Sequence, residues 1–151
     1  LRLGELIALR WDNIHSDYIT VTHNQVKGET TTPKTESGNR EIILLPRAKA
    51  ALVEMQAITK QYDNVFVSKY TGKPWQSSDA LQKQWVKILA KAQVKYRVPY
   101  LMRHSFAWML IDNGESLQFV ADQLGHKDME MVIRIYGGTT KRTNYKLKGT
   151  Y

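Results

Sequence analysis

The last third of the chain constrains the fold most. Between residues 101 and 138 three apolar-periodic runs follow one another, each ended by glycine. Leu101 to about Asp112 is stopped by Asn113-Gly114, Leu117 to Leu124 by Gly125, and Met129 to about Tyr136 by Gly137-Gly138. Ser116 and Asp128 stand where helix N-caps belong, and a glycine just past the last helical residue supplies the left-handed stop. Helices this short are marginal alone, so they must pack on one another and on whatever precedes them.

What precedes them is mixed. Leu3, Leu6, Ile7 and Leu9 recur at helical spacing, which predicts a helix over Leu3–Leu9 whose apolar face continues to Trp11. The pattern then turns to β-formers: Tyr18 to Thr22, an extended stretch around Thr30 to Thr35, and Arg40 to Leu45. Gly28 and Ser37-Gly38-Asn39 provide the turn chemistry between them. This reads as a small three-stranded antiparallel sheet. Pro46 ends the last strand and opens a helix over Arg47 to about Thr59. After a loop with Gly72 and Pro74, Ser77 or Ser78 caps a helix to about Gln93, with Leu81, Trp85, Ile88, Leu89 and Ala92 as its expected buried stripe. The expected architecture is one α+β domain over residues 1–151, mostly α-helical with a small sheet.

Charge and composition narrow the function. With 22 Lys and Arg against 14 Asp and Glu, the formal charge is +8, so nucleic acid or an anionic membrane is the natural partner. Lys83, Lys87, Lys91 and Lys95 repeat every four residues, and residues 83–103 hold six Lys or Arg and no acid. That stripe reads equally as a solvated helix face or as a phosphate-facing surface. There is no cysteine, which removes disulfides, thiolate nucleophiles and Cys-ligated metals and fits a reducing cytoplasm. No apolar run approaches the roughly 20 residues of a membrane helix, and no secretory leader opens the chain, so a soluble protein is expected. The first residue is Leu1, already inside a helix-like run, which suggests a domain cut from a longer protein.

The four histidines, His15, His23, His104 and His126, form no metal-protease motif, and the carboxylates are scattered with no Gly-rich phosphate loop near them. Metal-dependent nuclease and nucleotide-hydrolase chemistry needs clustered oxygen ligands or a phosphate cradle, so a metal-free mechanism is favoured if the chain is an enzyme. Arg2, Lys34, Arg103, His126 and Tyr136 remain. Singly, each has a plain structural reading: a surface charge, a strand-edge lysine, a salt-bridge partner, a polar residue after a helix stop, a half-buried aromatic.

Together they form an ordered pattern. Leu1-Arg2-Leu3-Gly4-Glu5-Leu6, Pro33-Lys34-Thr35 through Arg40-Glu41-Ile42, Arg103-His104-Ser105-Phe106-Ala107, Leu124-Gly125-His126 and then Tyr136-Gly137 resemble the catalytic domain of tyrosine recombinases of the phage integrase type. The resemblance implies that domain's fold and a site-specific DNA recombinase, or integrase, acting on a phage, prophage or other mobile element in the bacterial or phage-infected cytoplasm. Its substrate is double-stranded DNA and its working form a homotetramer, with no membrane and no small-molecule cofactor.

It also implies roles for individual residues. Tyr136 is the nucleophile that forms a 3′-phosphotyrosine. Arg2 and Arg103 clamp the phosphate, Lys34 protonates the leaving 5′-oxygen, and His126 hydrogen-bonds the phosphate. Tyr100 stands where the family usually has histidine; a phenol can donate a hydrogen bond but cannot act as imidazole does near neutral pH. Tyr100, Tyr145 and Tyr151 are the other candidate nucleophiles, but only Tyr136 follows Leu-Gly-His. Glu5 either orients Arg2 or makes a surface ion pair, and His104 is expected to be a buried, hydrogen-bonded structural residue. The family's further helices and DNA-binding domains before Arg2 are not in this chain, so weak binding and poor cleavage are expected of it alone. The tail 139–151 suits docking on a neighbouring subunit. Two other readings remain, a non-catalytic DNA-binding module of the helix-turn-helix kind and a degenerate recombinase relative kept for partner binding.

Overall fold

A computed structural model describes residues 1–26, 29–31, 39–68, 70–126 and 130–136, and all but the side chains of Val26 and Met131 among them. The first two closing helices fold as their punctuation predicts, and the third is helical where expected. Helix α4 spans Leu101–Asp112, α5 Leu117–Leu124 and α6 Glu130–Tyr136; these labels follow chain order, with α1–α3 given below. The Ser116 hydroxyl caps α5 by accepting from the Phe119 amide at 3.1 Å. Ala107, Leu110 and Ile111 of α4, Val120, Ala121 and Leu124 of α5, and Val132 and Tyr136 of α6 close into one buried cluster. The expected cap Asp128, the Gly137-Gly138 stop and the tail lie outside the described residues.

Helix α1 is shorter than its periodicity predicts, covering Leu3–Ile7. Beyond Ile7 the backbone is drawn into pairing with a distant segment: the Trp11 amide donates to the Asp63 carbonyl at 3.0 Å, and the Val65 amide to Leu9 at 2.9 Å. That pairing ends the helix and buries Leu9 with Ile19, Leu44 and Val65 in a second cluster. A single turn of 3₁₀ helix, Trp11–Asn13, follows.

The sheet is antiparallel as expected, but the described residues form two two-stranded ladders rather than one three-stranded sheet. Strand β1 (Tyr18–Val21) pairs with β4 (Arg40–Ile43), Val21 opposite Arg40, while β2 (Asn24–Val26) pairs with β3 (Glu29–Thr31). The break falls at Thr22-His23. There the Asn13 amide donates to the Thr20 and Thr22 hydroxyls, each at 3.2 Å, and the chain turns off to lay β2 against α1. Gly4 makes that approach possible, since a Cβ there would come within 2.6 Å of the Gln25 carbonyl oxygen.

Helix α2 (Pro46–Thr59) starts at its proline, and α3 spans Ser78–Lys91. The predicted stripe of α3 is buried only at Leu89; Leu81 and Trp85 are half-buried and Ile88 is exposed. Leu81, Trp85 and Ile88 instead line an open apolar cavity of about 450 Å³ with Leu6 and Met102. Lys83, Lys87 and Lys91, together with Lys95 beyond the helix, are exposed. Among the described residues no helix is long and apolar enough to cross a membrane.

Candidate active site

The site is organised by the turn that closes α5. Gly125 adopts φ +63° and ψ +45°, and a Cβ there would lie 2.8 Å from the Arg40 guanidinium. Both the backbone conformation and the close approach call for glycine. This turn aims two successive carbonyls at two arginines. Arg103 Nη2 donates to the Leu124 carbonyl, and Arg2 Nη2 to the Gly125 carbonyl at 3.1 Å. Residues 101 positions apart in sequence are thus side by side, with His126 next along the chain.

Glu5 fixes the arrangement from below. It accepts from the Arg2 backbone amide at 2.7 Å and from Arg2 Nη1 at 2.8 Å. Its other neighbour is Arg40, whose Nη2 lies 2.8 Å from Oε2 and Nη1 3.2 Å from Oε1. The Glu5 and Arg40 side chains are 5% and 7% exposed, so the pair is buried and oriented rather than a surface ion pair. Burial alone would raise the Glu5 pKa, but the hydrogen bonds from Arg40 and Arg2 bring it down to about 2.

Two guanidiniums therefore meet one carboxylate, and a third, Arg103, lies close enough to feel all three charges. Burial first, and then the charges of Arg2 and Arg40, bring the Arg103 pKa down to about 10, which leaves it protonated at neutral pH. Arg103 is 6% exposed, and its Nη1 is buried without a hydrogen-bond partner among the described residues. A buried cationic donor with an open valence, beside an Arg2 that is 41% exposed, forms an anion-binding corner.

Tyr100, at the start of α4 and 48% exposed, lines the apolar cavity together with Arg2 and Arg103. It is thus on the wall of the same cavity as the two arginines. Tyr136 is fully packed, only 2% exposed, rather than half-buried with its hydroxyl at the surface. Its hydroxyl lies 2.5 Å from His104 Nδ1, and its ring meets the Trp108 ring edge-on at 5.6 Å. Burial pushes its pKa up, and the nearby Arg103 charge partly opposes this. Lys34 lies outside the described residues. Arg2 and Arg103 share one corner, His126 follows the Leu124-Gly125 turn that holds them, Tyr100 lines the cavity beside them, and Tyr136 is packed within reach of the Arg103 charge.

Two residues of the site carry more than the sequence reading gave them. Arg40 lay inside the quoted motif without a role, yet it also donates to the Gln123 carbonyl at 3.2 Å and so joins α1, β4 and α5. The signal was available, because two-residue alternation puts Arg40 on the same face as buried Ile42. Gln123 gave no such signal. Buried on α5, it accepts from the Ile43 amide at 2.9 Å and donates to the Glu41 carbonyl at 3.2 Å, docking the helix on strand β4.

Comparison with known proteins agrees with this geometry. The family model described as the phage integrase family matches residues 1–142. The chain belongs to the phage integrase family. The prophage integrase IntR of Escherichia coli K12 is 31% identical over 91% of this chain and 40% of its own length. A XerC-like tyrosine recombinase of Caldanaerobacter subterraneus subsp. tengcongensis is 28% identical over 90% of the chain and 42% of its own length. This integrase-family chain therefore spans about two fifths of those curated relatives. In fold it resembles the Tn1549 transposon integrase solved with transposon right end DNA, with a TM-score of 0.79 at 22% identity over 95% of this chain and 52% of that one. It also resembles the XerA recombinase, with a TM-score of 0.72 at 21% identity over 87% and 46%.

Proposed function

We propose that this domain is the catalytic part of a site-specific DNA recombinase that integrates or excises a mobile element through a 3′-phosphotyrosine on Tyr136. The observation that carries the proposal is the anion-binding corner, where the Leu124-Gly125 carbonyls hold Arg103 and Arg2 together and Arg103 Nη1 is buried without an acceptor among the described residues. A phosphodiester oxygen supplies that acceptor. Two permanently charged guanidiniums, oriented beforehand, stabilise the charge that builds on the non-bridging oxygens during transfer.

In the proposed step the Tyr136 oxygen bonds to phosphorus and the bond to the 5′-oxygen breaks. The phenolic proton passes to solvent water, and the leaving oxygen takes a proton from Lys34. The 5′-hydroxyl of a second strand later reverses the sequence, so the bond energy is kept in the phosphotyrosine. His126 donates to the phosphate, and Tyr100 offers a phenolic hydrogen bond from the rim of the same corner. The exposed lysines of α3 add sequence-independent attraction to the DNA backbone. The whole protein works as a tetramer on two DNA sites in the cytoplasm of a bacterial host, with the tail 139–151 docking on a neighbour. Segments outside this chain complete the grip on the duplex, which leaves the isolated domain a weak binder.

The test uses the intact protein with duplexes from the DNA flanking its own gene, each nicked just past the candidate scissile phosphate so that the leaving strand is lost. A covalent adduct mapped to Tyr136 by peptide mass, absent in Tyr136→Phe while noncovalent binding persists, is the expected result. Tight binding with no adduct on any tyrosine would instead describe a DNA-binding module that has lost its chemistry.

A further inference from the structure

The nucleophile reading leaves a geometric problem. Tyr136 is 2% exposed, and an oxygen inside the protein cannot reach the phosphorus of a DNA strand bound at the arginine corner. Its hydroxyl points instead at His104 Nδ1, 2.5 Å away. His104 follows Arg103 directly, so the helix turns its side chain about 100° from that of Arg103. The two neighbours serve opposite ends of the problem, one facing the anion corner and the other the stored tyrosine.

His104 is the middle of a stripe on α4. Tyr100 and Trp108 lie one turn before and one turn after it, the Tyr100 ring edge-on to the imidazole at 5.2 Å and the Trp108 ring edge-on to Tyr136. With Nδ1 accepting from the phenol, the imidazole carries its proton on Nε2. The Tyr136 ring is wedged against this stripe, with centroids 5.9 Å apart at His104. Tyr136 is also the last residue of α6, a helix of 7 residues that is marginal on its own and is held by what it packs against.

We propose that His104 is a positioning residue that holds Tyr136 in a withdrawn resting position, and that release of this hydrogen bond precedes attack on DNA. This rests on Tyr136 being the nucleophile. A contact made at rest and lost at the transition state deepens the ground state, so its removal speeds the covalent step. The step itself is unchanged. Only the starting position of the oxygen differs.

The experiment compares wild type, His104→Phe and His104→Asn in the intact protein. Phenylalanine keeps a ring for packing but offers no acceptor, while the asparagine amide returns an acceptor near the place of Nδ1. The first readout needs no DNA: nitration of Tyr136 by tetranitromethane, resolved by peptide mass with the 82% exposed Tyr70 as internal standard. Nitration of Tyr136 relative to Tyr70 should rise about two- to tenfold in His104→Phe, the worth of one part-buried hydrogen bond, and fall between in His104→Asn. The second readout is the rate of adduct formation on the nicked duplex, which should rise by a similar factor in His104→Phe. Unchanged nitration overturns the proposal, as does a slower adduct step in a His104→Phe protein whose Tm matches wild type, because the imidazole would then be needed in the reaction itself. Where phenylalanine is not tolerated, His104→Gln displaces the acceptor and carries the same comparison. If wild type forms no adduct on any tyrosine, the recombinase reading fails while the nitration result still decides the role of His104.

Discussion

The arginine corner and Tyr136, packed within reach of the Arg103 charge, are held in different ways. Arg2 precedes α1, Arg40 opens β4 and Arg103 lies on α4; Arg2 and Arg40 are tied to the buried Glu5, and all three to carbonyls at the end of α5. Tyr136 ends a short helix and is held by a hydroxyl contact to His104 and a ring contact to Trp108. Donors that must meet developing charge gain most from being fixed beforehand, since no reorganisation is then needed at the moment of reaction. A group that must travel gains from a holding contact that can be released. The site is divided along that line.

Removing Glu5 tests the rigid half most severely. Glu5→Ala removes the carboxylate that the buried Arg40 guanidinium pairs with, which costs on the order of 3–5 kcal/mol. Urea unfolding should show a large drop in midpoint, and adduct formation should fall with it as Arg2 and Arg103 lose their common frame. A midpoint near wild type would mean that the corner is held by something other than this pair. Gly125→Ala comes next, forcing a left-handed alanine against the Arg40 guanidinium, at a cost of roughly 2–4 kcal/mol. A crystal structure of that variant with both arginines still on their carbonyls would show that the turn follows the arginines and does not set them.

Acid sharpens the comparison from another side. The folded-state pKa of Glu5, about 2, lies below its ordinary 4.5, so the stabilisation it provides is complete above about pH 4.5 and is lost as pH falls towards 2. The loss is on the order of 2–3 kcal/mol. Thermal melts over that window should fall for wild type more steeply than for Glu5→Gln, which has no carboxylate to protonate. Parallel slopes would assign the acid sensitivity to other carboxylates.

Much of this was legible in the sequence, for reasons that differ along the chain. The closing helices were readable from their apolar period, α4 and α5 also from their glycine stops, and the Leu-Gly-His turn because a left-handed glycine cannot be replaced cheaply. The end of α1 was not readable, because its apolar period continues past Ile7 while pairing with Asp63 and Val65 decides where the helix stops. The single sheet divided for a similar reason, a side-chain bridge from Asn13 being invisible to alternation. Ile88 looked like core because period alone does not say whether anything lies opposite. Within the site, Arg2 and Arg103 were found by pattern, and Glu5 was left open until its burial showed which partner it serves. The contact between His104 and Tyr136 joins residues 32 apart, and no local spacing could have given it.

The smallest effect falls on the tyrosine itself. Tyr136→Phe keeps the ring in its place against Trp108 and removes only the hydroxyl, leaving His104 Nδ1 half-buried where water can take up the lost bond. One exchanged hydrogen bond is worth about 1 kcal/mol, so the variant should unfold at nearly the wild-type urea midpoint. That small loss separates the two halves of the site by direct measurement, since Glu5→Ala is expected to cost several times more at the same temperature and pH. Should Tyr136→Phe prove as destabilising as Glu5→Ala, the tyrosine would be part of the rigid frame. It could not then leave its place without unfolding the closing helices, and a resting position that gives way to attack would be untenable.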